Sequence, residues 1–228
     1  MYFVDAPGGT GKTFIINLLL SKIRRNKCIA IAAASSGIAA TLLQGGKTAH
    51  SACKLPLNFS PDHSACNILM QSNFAQVLIK CDFIVWDEST MANRKGIEAL
   101  DRCLQDLRNQ NKPMGGITIV FAGDFRQTLP VIPKGTRVNE IDACLKPSYL
   151  WKNFKILKLG KNVRILNTNH LDSKNFAEIL LNTGNRLMRE EEGKVNISQF
   201  FCNQVTDIFD LIQAVYPDSE NISLRQIS

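Results

Sequence analysis

The residues best equipped for chemistry stand near the front of the chain: Ala6-Pro7-Gly8-Gly9-Thr10-Gly11-Lys12-Thr13, preceded by Tyr2-Phe3-Val4-Asp5 and followed by an apolar run over 14–20. A short buried strand, glycines that let backbone N–H groups turn inward, a lysine, a hydroxyl and a helix N-terminus together describe a phosphate-binding loop. In that frame Lys12 reaches the β and γ phosphates of a nucleotide, and the Thr13 hydroxyl sits on Mg²⁺ bridging the same two phosphates. The usual string opens with glycine where this chain has Ala6, which is compatible only if Ala6 keeps a negative φ.

Two further groups fit the same chemistry. Asp87 and Glu88 follow four apolar residues, Phe83-Ile84-Val85-Trp86. Both carboxylates therefore fall at the C-terminal edge of a buried strand, where ligands of parallel sheets bind. Asp87 is expected to hold Mg²⁺, largely through water, and Glu88 to orient and deprotonate the attacking water. Gly123-Asp124-Phe125-Arg126-Gln127 also follow a strand. The Gln127 amide can donate to a γ-phosphate oxygen and accept from water without changing charge; in isolation, these five residues would serve equally as a surface turn.

The elements that must position these groups are legible from periodicity. The pattern predicts a helix over 13–25, a strand over 28–33, a brief helix over 38–43 stopped at Gly45-Gly46, and a loop over 47–65. A helical region over 66–79 and a strand over 83–86 follow. The 94–108 stretch carries Ile97, Leu100, Leu104 and Leu107 at helical spacing, then a turn over 113–116 and strands over 117–122 and 155–159. This alternation argues for an α/β domain, a parallel sheet with helices on both faces, over 1–166. Helices over 174–182 and 205–215, separated by the exposed acidic stretch Glu190-Glu191-Glu192, suggest a mostly helical extension over 167–217 and a tail over 218–228.

At 228 residues, 45% hydrophobic and 21% charged, the chain has room for one substantial core. No run nears the roughly 18 apolar residues of a membrane span. The chain begins directly on the first strand, so no targeting segment is expected. Seven scattered cysteines (28, 53, 66, 81, 103, 144 and 202) never form C-x-x-C, and His50, His63 and His170 lack metal-ligand spacing, which argues against a zinc site or a disulfide framework. The net charge of +7 is uneven: residues 1–170 hold 22 Lys/Arg against 11 Asp/Glu, and residues 171–228 hold 5 against 9. A basic front half suits a polyanion, and equally a solvated charged surface.

With the phosphate loop, Ser35-Ser36-Gly37-Ile38-Ala39-Ala40, Thr48-Ala49-His50-Ser51, Asp87-Glu88-Ser89 and Gly123-Asp124-Phe125-Arg126-Gln127 in that order, the chain closely resembles the Pif-one (petite integration frequency) DNA helicases of superfamily one, including the copies carried by Helitron transposons. The resemblance covers about residues 1–217. It extends to Leu157-Lys158-Leu159-Gly160-Lys161-Asn162-Val163-Arg164, similar to a family segment ending in Asn-Met-Arg. It implies a RecA-like P-loop NTPase domain and an ATP-driven motor moving 5′ to 3′ along single-stranded DNA, with ATP and Mg²⁺ between two RecA-like domains.

On that reading Lys12, Asp87, Glu88, Gln127 and Arg164 are the catalytic set. Ala6, Pro7, Gly8, Gly9, Thr10, Gly11, Lys12 and Thr13 hold the nucleotide, and Thr13 and Asp87 hold the metal. Ser35, Ser36, Gly37, Thr48, His50 and Ser51 touch DNA, where hydroxyls and backbone N–H groups suit phosphate contacts independent of base sequence. His50 by itself would equally be a hydrogen-bonded structural histidine. The chain departs from the family at Gly160 (usually threonine), Val163 (usually methionine) and Ala122 (commonly a second glycine). The upstream glutamine element that reads adenine, and the second RecA-like domain with its arginine and half of the DNA track, would lie outside this chain. An alternative is a catalytically incompetent DNA- or ATP-binding remnant of a transposon-derived helicase. Family membership would place the protein in the nucleus, with the mitochondrion as the alternative.

Overall fold

Strands that are apolar at nearly every position must be buried on both faces, and this rule sets the architecture. The computed structural model describes residues 1–56, 66–166, 171–188, 190–191, 194–195 and 205–217. Its first half runs β1 (Tyr2–Asp5), α1 (Lys12–Arg25), β2 (Ile29–Ala34), α2 (Gly37–Thr41), β3 (Lys47–Thr48), α3 (Ala49–Cys53), α4 (Asn73–Ile79), β4 (Cys81–Asp87) and α5 (Arg94–Arg108). Then come β5 (Thr118–Gly123), α6 (Arg137–Ala143), β6 (Lys155–Lys158), α7 (Val163–Leu166), α8 (Leu171–Gly184), β7 (Glu190–Glu191), β8 (Lys194–Val195) and α9 (Ile208–Val215). β1 to β6 form one sheet in the order β3-β2-β4-β5-β1-β6, and every pairing in it is parallel. The C-terminal ends of β1, β4 and β5 thereby lie side by side, with Asp5 opposite Gly123 and Trp86 opposite Phe121.

Side-chain alternation divides the core into two layers. Ile84 and Trp86 of β4 and Ile119 and Phe121 of β5 pack with Ala52 of α3, Leu78 of α4 and Leu100 and Leu104 of α5. Phe83, Val85, Val120 and Ala122 point the other way, onto Ile16 and Leu20 of α1 and Ala39 and Ala40 of α2. Helices therefore cover both faces, as the periodicity implied. α5 has the bounds its apolar spacing predicted: Asn93 caps it by accepting from the Lys95 N–H at 3.0 Å, and Asn109 ends it in the left-handed conformation at φ 49°.

Other expectations need correction. The stretch over 47–65, expected as a loop, holds β3 and α3, with Lys47 and Thr48 paired to Ala33 and Ala34; residues 57–65 lie outside the described set. Both elements are too short to display a period. The helical region expected from residue 66 begins only at Asn73, because Ser72 takes the capping role, its hydroxyl accepting from the Ala75 N–H at 3.1 Å. α6 was not anticipated: among its residues only Ala143 is buried, so it lacks an apolar stripe, and its start rests on a capping box between Thr136 and Asn139. Part of the acidic stretch is a strand, Glu190 and Glu191 pairing antiparallel with Val195 and Lys194.

The chain divides into two compact units, Met1–Lys174 and Asn175–Ser228. The first contains the six-stranded sheet, and the second contains most of α8, the β7–β8 ladder and α9. No helix among the described residues is long and apolar enough to cross a membrane.

Candidate functional site

The chain leaves β1 and must reverse into α1 across Ala6 to Gly11. The entry is anchored on both sides: the Ala6 N–H donates to the Gly123 carbonyl at 3.1 Å, and the Leu159 N–H donates to the Asp5 carbonyl at 3.0 Å. Ala6 is buried and is not among the residues with positive φ, so alanine satisfies the opening position. The left-handed positions fall instead on Gly9 (φ 83°) and Gly11 (φ 81°). Gly11 precedes α1, which has no side-chain cap and no acidic residue in its first turn. The first N–H groups of that helix and its positive end are left for an anion. A Cβ on Gly9 would collide with the amide oxygen of Asn162, which is itself buried without a hydrogen-bond partner.

Lys12, at the start of α1, donates to Asp87 Oδ1 and Glu88 Oε1. Burial by itself would lower the pKa of this ammonium; the two carboxylates outweigh it, and the net shift is upward. Asp87, the last residue of β4, is buried. Glu88 takes the left-handed conformation at φ 50°, and its N–H donates to Asp87 Oδ1 at 2.8 Å. That kink separates two adjacent carboxylates: Glu88 lines a cavity of about 530 Å³, while Asp87 is held beneath it through Lys12.

The same cavity is lined by the loop from Ala6 to Thr13, by Phe14, and by Gln127, Val163 and Arg164. Gln127 Nε2 donates to Asp124 Oδ2 at 3.1 Å. Asp124 is buried and accepts from Arg126 Nη1 at 2.8 Å, and the same Arg126 nitrogen donates to Asp5 Oδ1 at 3.1 Å. The Gln127 amide is thus aimed by a carboxylate that Arg126 clamps to the end of β1. Arg164 enters because α7 sits on the loop, its N–H donating to the Gly9 carbonyl at 3.2 Å.

Lys12, Glu88, Gln127 and Arg164 therefore converge as their motifs implied, with Asp87 one contact away. Sequence reasoning missed the apolar walls Phe14 and Val163, the Asp5–Arg126–Asp124 clamp and the packing of Asn162 on Gly9. None of these carries a periodic or local pattern. For a metal, the donor set is suitable: the Thr13 hydroxyl at the cavity wall and the Asp87 carboxylate are hard oxygens, and Mg²⁺ takes one or two such ligands from a protein alongside water and phosphate.

The six residues expected at DNA are dispersed along the sheet edge. Ser35 and His50 line a second cavity, of about 570 Å³, with Trp86, Asn93, Lys95 and the Pro130 to Pro133 segment. Ser36 caps α2, its hydroxyl accepting from the Ala39 N–H at 3.1 Å, and Gly37 faces open space. Thr48 ends β3 and Ser51 is exposed on α3, both outside the cavity lining.

Residues 1–194 match the family model described as PIF1-like helicase. The chain belongs to that family. It is 29% identical to the ATP-dependent DNA helicase Pif1 of Psychrobacter sp. over 71% of this chain and 25% of that protein, and 30% identical to human PIF1 over 59% and 20%. Among solved structures, the Bacteroides Pif1 bound to ssDNA superposes with a TM-score of 0.67 at 28% identity, covering 81% of this chain and 42% of that one. A Bacteroides Pif1 complex with ADP-AlF3 and ssDNA, at 23% identity and a TM-score of 0.67, shares the fold over 96% of this chain and 53% of that one. The parallel sheet of this PIF1-like chain is a RecA-like helicase domain, and the chain spans about a quarter of the length of the curated Pif1 relatives it matches. Its departures from the family pattern sit comfortably: Gly160 has open space around it, Val163 forms a wall of the nucleotide-sized cavity, and Ala122 is fully buried under α1 and α2.

Proposed function

We propose that this chain hydrolyses ATP to drive 5′ to 3′ movement along single-stranded DNA, as the first of two RecA-like domains of a PIF1-like helicase. The observation that carries this reading is the convergence of Lys12, Glu88, Gln127 and Arg164 on one cavity floored by the Ala6 to Thr13 loop. Phosphates arriving at the loop compete with Asp87 and Glu88 for the Lys12 ammonium. As Lys12 moves to the β and γ phosphates, Glu88 is freed to take a proton from water. Gln127, aimed by Asp124, orients that water, and Arg164 offsets charge on the terminal phosphate. Mg²⁺ held by Thr13 and Asp87 would neutralise further charge on the same phosphates. A DNA strand follows the edge marked by Ser35, Ser36, Gly37, Thr48, His50 and Ser51, a reading supported by the solved relative bound to ssDNA. A second RecA-like domain, as partner, would close the cavity from its open side.

ATP hydrolysis measured with and without single-stranded DNA tests the proposal. The expected result is stimulation by DNA that both Lys12→Ala and Glu88→Gln abolish. A wild-type rate in the presence of DNA no higher than that of Lys12→Ala would overturn it.

A further inference from the structure

The end of β4 carries a feature that neither the nucleotide chemistry nor the DNA-facing motifs use. Trp86 is fully buried at 1% exposure, immediately before Asp87, and stacks at a tilt on Phe121 with ring centroids 5.7 Å apart. Indole has a single polar group, a donor, and burying it without an acceptor is costly. Here Nε1–H donates to the Ser35 hydroxyl oxygen at 2.9 Å. Ser35 in turn donates its backbone N–H to the Asp87 carbonyl at 3.0 Å, continuing the β2–β4 ladder in which Ala33 faces Trp86 and Ala34 faces Asp87. One serine thus holds the side chain of Trp86 and the backbone of Asp87 together. Asp87 itself holds Lys12.

Ser35 and Trp86 both line the 570 Å³ cavity, whose other polar contributors include His50, Asn93 and Lys95, and among the described residues no acidic side chain lines it. Donors and apolar groups of this kind suit a polyanion with bases. Because the Ser35 oxygen already accepts from the indole, its own proton is left to donate, and accepting a bond strengthens a hydroxyl as a donor. We propose that Trp86 is a positioning residue that holds the Ser35 hydroxyl as a donor to a DNA phosphate in this cavity. Through Ser35, occupancy of the cavity is transmitted to Asp87 and Lys12. This inference rests on the DNA-motor reading and adds to it the route by which strand and nucleotide sense one another.

Coupling of this kind is reciprocal, so it is read from binding alone, without turnover. The full chain is titrated into labelled oligo-deoxythymidylate, with and without a non-hydrolysable ATP analogue and Mg²⁺. In wild type the nucleotide changes the DNA Kd by about fivefold or more, the usual lower bound for coupled sites. Trp86→Phe keeps an aromatic ring beside Phe121 and deletes the donor together with part of the indole's bulk. It should bring the ratio below about twofold, with nucleotide affinity in the absence of DNA unchanged; Ser35→Ala should do the same, and the double variant no more than either. Should Trp86→Phe fail to fold, Ser35→Ala, which removes one half-buried hydroxyl, decides alone. A wild-type ratio retained in the variants, effects that multiply in the double variant, or a wild-type chain whose DNA affinity ignores nucleotide would each overturn the inference. A wild-type chain that binds no DNA in any nucleotide state would instead overturn the motor reading beneath it.

Discussion

Lys12 is shared by two carboxylates that an incoming phosphate would compete with. In the fold its ammonium is shared by Asp87 and Glu88, and its pKa is raised because those charges outweigh the burial that opposes them. A group whose folded pKa is raised stabilises the fold fully below its unfolded value and loses that contribution as pH climbs through the folded value. For Lys12 the loss begins above its ordinary value of 10.5. Urea midpoints followed from neutral pH to beyond 10.5 should therefore fall more steeply for wild type than for Lys12→Met. Parallel curves would mean that the ion pairs contribute nothing to stability. A rise of the wild-type curve with pH would contradict the sign. The same cluster would let the lysine exchange partners, because phosphate oxygens would offer it a third and more concentrated negative charge.

At the scale of elements, α5 shows how the core holds the site from behind. Its Asp101 is buried at 1% exposure and accepts from the Met114 N–H at 2.6 Å, Gln105 Nε2 at 2.8 Å and the Tyr149 hydroxyl at 2.8 Å. Burial, and then the Asp101 carboxylate, push the Tyr149 phenol above its usual range. One carboxylate thereby ties α5 to the turn at Pro113–Gly116 that feeds β5, and to the approach to β6. Asp101→Ala would leave the Met114 N–H buried without an acceptor and should cost roughly 2–4 kcal/mol, read as a lower urea midpoint at unchanged slope. A loss under about 0.5 kcal/mol would show that the turn is held by packing alone. α5 was legible in the sequence because Ile97, Leu100, Leu104 and Leu107 state a helical period, and the phosphate loop because its glycines, lysine and threonine are contiguous. β3, α3 and α6 were not, since elements this short or this exposed have no period to display. The site divides along the same line. Glu88 and Gln127 are announced by the strands before them, whereas the Arg126 bond to Asp5 joins residues 121 positions apart and exists only once β1 and β5 pair.

For the molecule as a whole, the question is whether its charge or its shaped edge would hold the proposed DNA strand. The net charge of +7 comes entirely from the front of the chain, where 22 basic residues oppose 11 acidic ones. Diffuse adhesion to that surface would neutralise many phosphates. Single-stranded DNA gives a log–log salt slope of about −0.7 per phosphate neutralised, so adhesion through six or more cations would be steeper than about −4. The edge marked by Ser35, Ser36, Thr48 and Ser51 would work differently, because hydroxyl contacts displace no counterions, and among the described residues Lys95 is the one Lys or Arg lining the cavity beside Ser35 and His50. Contacts of that kind neutralise about one phosphate, through Lys95, and predict a slope of about −0.7. Fluorescence anisotropy of an oligo-deoxythymidylate across a salt series separates the two. A shallow slope whose affinity drops with Ser35→Ala places the strand on the sheet edge; a steep slope indifferent to Ser35 would mean that the basic surface, and not the edge above Asp87, holds the DNA.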